Sequence, residues 1–210
     1  RHSGMAQVAK GEEEFVIRGQ GHMWEKCGDV EYAISSQSFF QTNTLAAERL
    51  YATICDMAGD LSDRDVLDVY AGTGGISLHL AEHARSVVGV ESVPEAVADA
   101  IGNAERNGIG NCTFVSAQAE DLLTEAADQG RRYDLVVVDP PRAGLHKKAR
   151  RGILDLGPDR LLYVSCNADT LADDLSEFVA GGYKLGIAQP VDMFPHTPLC
   201  EVIVTLNRTP

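Results

Sequence analysis

Apolar and polar positions change period along the chain. From residue 61 onward, short apolar runs alternate with longer stretches whose apolar residues recur every three or four positions. This predicts strands at 66–70, 86–91, 112–116, 133–139, 161–165, 183–188 and 202–206, and helices at 76–84, 94–107, 118–128, 146–156 and 168–180. Val136-Val137-Val138 and Leu161-Leu162-Tyr163-Val164 are apolar throughout, as expected of strands covered on both faces. Repeated βα units with such central strands predict an α/β fold, a doubly wound, mostly parallel seven-stranded sheet. No full crossover helix separates the last two strands, so the last one is expected to run antiparallel. Upstream, 14–18 and 30–34 alternate like an antiparallel strand pair. Leu45, Ala46, Leu50, Ile54 and Met57 then mark one face of a helix over 42–57. The chain therefore divides into a small extension, 1–60, and a sheet domain, 61–210. Arg1 to Gly4, ahead of Met5, are set aside as a cloning remnant or a fragment edge.

At 44% hydrophobic and 23% charged residues, the composition excludes collagen, coiled coil and disorder. No run approaches the ~18 apolar residues of a membrane span, and no signal peptide opens the chain. Cys27, Cys55, Cys112, Cys166 and Cys200 are odd in number and widely spaced, with no C-x-x-C, which argues against disulfides and against a metal site. A reducing, cytoplasmic setting and a monomer are expected. The net charge of −13 argues by itself against nucleic acid, whose phosphates usually leave a basic footprint. Against that stand Arg142, Lys147, Lys148, Arg150 and Arg151, five basic residues within ten positions and no acid among them. They read either as a solvated helix face or as a local phosphate contact.

Asp68-Val-Tyr70-Ala-Gly72-Thr-Gly74-Gly75 follows the first strand of the sheet domain and opens a helix. Such glycines let a backbone approach a ligand closely. Glu91 ends the next strand, where a carboxylate accepts hydrogen bonds from ribose hydroxyls. The dinucleotide fingerprint G-x-G-x-x-G is only partly met, since Ser77 holds the third position. Asp68 repels a pyrophosphate and suits an ammonium, which favours S-adenosylmethionine (SAM) over NAD. Gln118, after the third strand, falls near an adenine.

Three further segments end strands at the same edge. Asp139-Pro140-Pro141-Arg142 is a stiff turn presenting Asp139. Ser165-Cys166-Asn167 puts a cysteine where a strand gives way to a helix, and a helix N-terminus lowers a thiol pKa. Glu201 precedes the apolar Val202-Ile203-Val204, so partial desolvation is expected to make it more basic than usual. Singly, each has a plain alternative: a capped turn, a buried small hydrophobe and a surface glutamate.

Taken together and in order, these segments resemble the RNA uracil-C5 methyltransferase family. Phe39-Phe40-Gln41-Thr42-Asn43, the loop from Asp68 to Gly75, Glu91, Asp139-Pro140-Pro141-Arg142-Ala143-Gly144, Tyr163-Val164-Ser165-Cys166-Asn167 and Pro195-His196-Thr197 with Glu201 all match. The resemblance implies a Rossmann-like, SAM-dependent methyltransferase that forms 5-methyluridine in tRNA or rRNA. It implies SAM contacts from Gln41, Tyr70, Gly75, Glu91 and Asp139, a nucleophilic Cys166 and a basic Glu201. Asp68, Gly72, Gly74 and Gln118 extend the cofactor set, and Phe40, Gln41, Arg142, Lys147 and Lys148 form the RNA-facing set. Asn usually stands where this chain has Gly75, and Pro where it has Ala168. The family's N-terminal RNA-binding β-barrel and iron–sulfur cysteines have no counterpart here, so an N-terminal RNA-binding domain is expected to lie elsewhere. A methyltransferase for another base atom or for protein, a non-catalytic RNA-binding module of the same fold and an NAD oxidoreductase are the alternatives.

Overall fold

The computed structural model describes residues 15–209. The first described element is a hairpin, β1 (His22–Cys27) and β2 (Val30–Ser35). Helix α1 (Thr44–Ala58) follows. Strands and helices then alternate: β3 (Asp65–Val69), α2 (Gly75–Ala81), β4 (Ser86–Glu91), α3 (Pro94–Arg106), β5 (Cys112–Ser116), α4 (Ala119–Asp128), β6 (Leu135–Val138), α5 (Lys147–Leu156), β7 (Arg160–Ser165), α6 (Ala168–Ala180), β8 (Tyr183–Val191) and β9 (Glu201–Arg208). Seven strands form one sheet in the order β5-β4-β3-β6-β7-β9-β8. The first five pair in parallel, and β9 runs antiparallel between β7 and β8.

One sequence expectation fails. Residues 15–18 form no strand, and their apolar side chains are exposed, Ile17 to 97%. Glu14 and the four residues set aside at the start lie outside the described residues. The partner of β2 is β1, joined through the two-residue turn Gly28-Asp29, with Cys27 paired to Val30. Gly28 has φ 60, which matches the first position of the two-residue turns whose twist suits a hairpin. The Gly28-Asp29 pair, rather than the alternation in 14–18, is the hairpin signal of this segment.

The pleat of the central strands divides the core. In β6, Leu135 and Val137 point to one face with α1 and α2, while Val136 and Val138 point to the other with α4, α5 and α6. Leu162 and Val164 of β7 join the first cluster, and Leu161 and Tyr163 the second. The hairpin and α1 contribute Cys27, Tyr32, Ala47, Leu50 and Ile54 to that first cluster, so residues on both sides of position 60 share one core. Strand order reverses between β3 and β6. In open α/β sheets this switch point opens a crevice at the carboxyl edge, where ligands bind.

Candidate active site

Two loops leave the sheet at the switch point, residues 70–74 after β3 and 139–146 after β6. The first bends through three left-handed residues, Tyr70 (φ 72), Gly72 (φ 55) and Gly74 (φ 88). For a tyrosine this conformation costs on the order of 1 kcal/mol or more, a strain that folds retain mainly at functional sites. It is held because the backbone N–H groups of Tyr70 and Ala71 both donate to the Val90 carbonyl at 2.9 Å. Between the two loops and the 39–41 segment lies a cleft walled by Gln41, Tyr51, Tyr70, Gly72, Gly75 and Asp139. Phe40 also reaches it, while packing on Tyr32 at 5.1 Å between ring centroids. Phe39 beside it is 65% exposed.

Five of the expected cofactor residues, Gln41, Tyr70, Gly72, Gly75 and Asp139, thus share one wall. The others are placed differently. Asp68 is fully buried behind the loop rather than on the cleft surface, so it is not placed to meet an ammonium directly. Its Oδ2 accepts from Ser77 Oγ at 2.5 Å, and its Oδ1 has no partner. Burial pushes its carboxyl up to about 6, against the Ser77 hydrogen bond and helped by Glu91. Gly74 is the left-handed cap of α2, packed under Phe114 and Leu78, and serves the turn. Glu91 knits the loop together: Oε2 accepts from the Gly72 N–H at 3.1 Å, and Oε1 from the N–H groups of Ser92 at 2.6 Å and Val93 at 2.8 Å. Gln118 is exposed at the N-cap of α4.

The second half of the site is built by β7 and β9. Ser165 pairs with Val202 as the last rung of their antiparallel ladder, so Cys166, one residue beyond, and Glu201, one residue before Val202, stand at the same end of the two strands, where Glu201 acts on the thiol. Glu201 is only 6% exposed, and its Oε2 has no hydrogen-bond partner. Burial raises its pKa and Arg142 opposes the rise, which agrees in direction with the desolvation expected from sequence. Asp139 is perturbed too: enclosure by protein, then repulsion from Glu201 and Asp68, hold its carboxyl well above the usual carboxylate range. Because it feels Glu201 and also walls the cleft, Asp139 links the two halves.

The expectation for Cys166 is corrected. Its thiol pKa is raised, first by burial and then by Glu201 and Asp139, while Arg142 pulls the other way. The beginning of α6 does not override two nearby carboxyls.

Asn167 and Asn43 hold the loops. Asn167 caps α6 by accepting from the Asp169 N–H at 3.1 Å. Its amide donates to the Arg142 carbonyl at 3.0 Å, fastening the cysteine loop to the Asp-Pro-Pro-Arg loop. Asn43 caps α1 through Ala46 N–H, and its amide donates to the Met193 carbonyl at 3.1 Å, on the segment that leads to Glu201. Spacing cannot reveal such long-range bonds.

The basic run is also less free than it looked. Arg150 is paired with the buried Asp174 and with Glu177, and Arg151 with Asp155. Lys148 borders a hollow walled by Glu120, Asp121, Glu125 and Asp128, which disfavours phosphate there. Arg142 and Lys147 are exposed. The cysteines are free, and among the described residues no cluster of His, Cys, Asp or Glu is grouped to hold a metal and no helix is long and apolar enough to cross a membrane.

Comparison with known proteins places the chain in a family and a fold. The sequence profile described as tRNA (Uracil-5-)-methyltransferase matches residues 25–209. An "uncharacterized RNA methyltransferase" of Chlorobaculum tepidum is 46% identical over 203 residues, 96% of this chain and 42% of that protein. One of Caldanaerobacter subterraneus is 40% identical over 194 residues, 92% of this chain and 42% of that protein. Among solved structures, the Pyrococcus abyssi tRNA (uracil-54, C5)-methyltransferase in complex with S-adenosyl-L-homocysteine (SAH) is 32% identical. It superposes with TM-score 0.79 over 97% of this chain and 48% of its own. The M. jannaschii TYW2 in complex with AdoMet, 16% identical with TM-score 0.65, shares the fold. The chain spans less than half the length of the curated relatives it matches. By sequence profile, sheet topology and shared fold, the chain belongs to the tRNA (uracil-5-)-methyltransferase family.

Proposed function

We propose that the chain is the catalytic part of a SAM-dependent enzyme that converts uridine to 5-methyluridine in tRNA or rRNA. The observation that carries this reading is the juxtaposition of Cys166 and Glu201 at the end of the β7–β9 ladder with Asp139, which also walls the glycine-lined cleft. The cleft suits SAM: Gly72 and Gly75 leave room for close backbone approach, and Asp139 offers an acceptor. Gln41, Tyr70, Gly72, Gly75, Glu91 and Asp139 would hold the cofactor. When bound, SAM supplies an electrophilic methyl group.

Uracil C5 is a weak nucleophile until C6 is attacked. Cys166 reacts as its thiolate, the proton having been released to solvent: Sγ forms a bond to C6, and the C5=C6 electrons move toward the C4 carbonyl. C5 becomes electron-rich and accepts the methyl. Glu201 then takes the C5 proton, the electron pair re-forms C5=C6, and Cys166 leaves as a thiolate. Its desolvated carboxylate is a stronger base than an exposed one. Arg142 favours the charged forms of both groups and can also meet phosphate. The target base must be unstacked for C6 to reach Cys166. An acidic body, with a net charge of −13, implies weak RNA affinity by this portion alone, with most of it supplied by a further RNA-binding domain. The cytoplasm, where such RNA is processed, is the implied setting.

The test is mass spectrometry of nucleosides from uridine-containing RNA incubated with the protein and SAM. Appearance of 5-methyluridine is expected. A methyl group on another base atom, or on protein, with none on C5 would overturn the reading.

A further inference from the structure

Gly75 is the first residue of α2 and walls the cleft, yet it lacks room for any side chain. A Cβ built there would meet the Tyr51 hydroxyl far inside contact distance and the Tyr51 Cζ at 2.9 Å. Tyr51 therefore occupies the volume that a residue 75 side chain would take, at the position where the sequence departs from the family's usual Asn. It arrives from α1, 24 residues upstream. Its ring is buried, 5% exposed, and rests on His79 at 4.7 Å between centroids. His79 is itself fixed, with Nδ1 2.8 Å from the Gly75 carbonyl. Tyr32 braces the same carbonyl and the same His79 nitrogen at 3.4 and 3.2 Å. The ring is thus clamped, and its hydroxyl end is the part turned to Gly75 and the cleft wall. Among the groups acting on it are Asp139 and Asp68. Burial comes first and those carboxyls add to it, so the phenol stays protonated throughout the neutral range and keeps a hydrogen to donate.

We propose that the Tyr51 hydroxyl is a cofactor-positioning group, hydrogen-bonding the amino-acid end of the bound methyl donor in place of a side chain at 75. This rests on the SAM reading above and deepens it. A neutral donor complements Asp139, the carboxyl group on the same wall. Together they offer a donor and an acceptor to a ligand end that carries both a carboxylate and an ammonium.

The test compares two ligands, SAH, which has the amino-acid end, and 5′-methylthioadenosine, which lacks it. Binding of each to wild type and to Tyr51→Phe is measured by calorimetry. Phe keeps the ring and its packing, so folding is preserved and is checked by the melting curve. About a tenfold loss of SAH affinity is expected, with methylthioadenosine affinity unchanged within twofold. As a second arm, Gly75→Ala should lose SAH binding because of the Tyr51 contact, and Gly75→Ala with Tyr51→Ala should regain part of it. Equal effects of Tyr51→Phe on both ligands, or none on SAH, would overturn the proposal. Failure of wild type to bind SAH at all would instead overturn the SAM reading.

Discussion

Cys166 and Glu201 stand at the same end of the antiparallel β7–β9 ladder, each one residue beyond its last pair, Ser165–Val202. Their closeness follows from the reversal of β9 in an otherwise parallel region. The end of β7 and the start of β9 then fall at the same edge as Tyr70 and Asp139. Had β9 run parallel, Glu201 would lie at the opposite edge.

Removal of either partner separates the two halves of the reaction. Cys166→Ala is expected to lower methylation at least 1,000-fold while SAH affinity stays within about twofold, measured by methyl transfer and by calorimetry. Glu201→Gln is expected to accumulate a protein–RNA adduct carrying a methylated base, visible on a denaturing gel. Recovery of free, methylated RNA at the wild-type rate from that variant would remove Glu201 as the base.

The raised Cys166 thiol gives a pH signature. Adduct formation should accelerate as pH rises from 7 toward 9, because the reactive thiolate is the minority form at neutral pH. Arg142 pulls this pKa down, so Arg142→Met should slow adduct formation at pH 7 and shift its rising limb to higher pH. A uniform loss at every pH would assign Arg142 to RNA contact alone.

Asp68 predicts how stability depends on pH. Its carboxyl titrates at about 6 in the folded chain against a reference of 3.8, so the folded state binds the proton more tightly than the unfolded one. Stability from this group is fully present below about pH 4 and is lost as pH rises through 6, by about 3 kcal/mol. Asp68→Asn should raise the melting temperature at pH 7.5 and change it little at pH 4.5. A larger effect at the acid end would reverse the assignment.

The Asn167 bridge is tested by two substitutions. Asn167→Ala removes both the α6 cap and the tie to the Arg142 carbonyl, and should cost about 1 kcal/mol of stability together with adduct rate. Asn167→Asp keeps a capping oxygen and loses the donor. It should restore the melting temperature but not the rate.

Most of the sheet was readable from the chain. Strands 86–91 and 112–116 match β4 and β5 to the residue, because their apolar runs are bounded by charged or glycine-containing turns. The N-terminal hairpin is the exception, since Phe15, Val16 and Ile17, an apolar run between Glu14 and Arg18, form no strand. Within the site, residues carried by separate motifs, such as Gly72, Gly75 and Asp139, meet at one cleft. Tyr51 did not announce itself, because its spacing on α1 is that of any core residue. The basic run misled for a related reason: the acids that neutralise Arg150, Asp174 and Glu177, lie on another helix.

The most direct measurement uses RNA in which uridine is replaced by 5-fluorouridine, whose C5 fluorine cannot be removed as a proton. Incubated with the protein and SAM, it is expected to give a stable complex that resists denaturation, with peptide mass spectrometry placing one methylated base on Cys166. Wild-type protein that methylates uridine yet forms no such complex, or a complex of equal yield with Cys166→Ala, would contradict the covalent account.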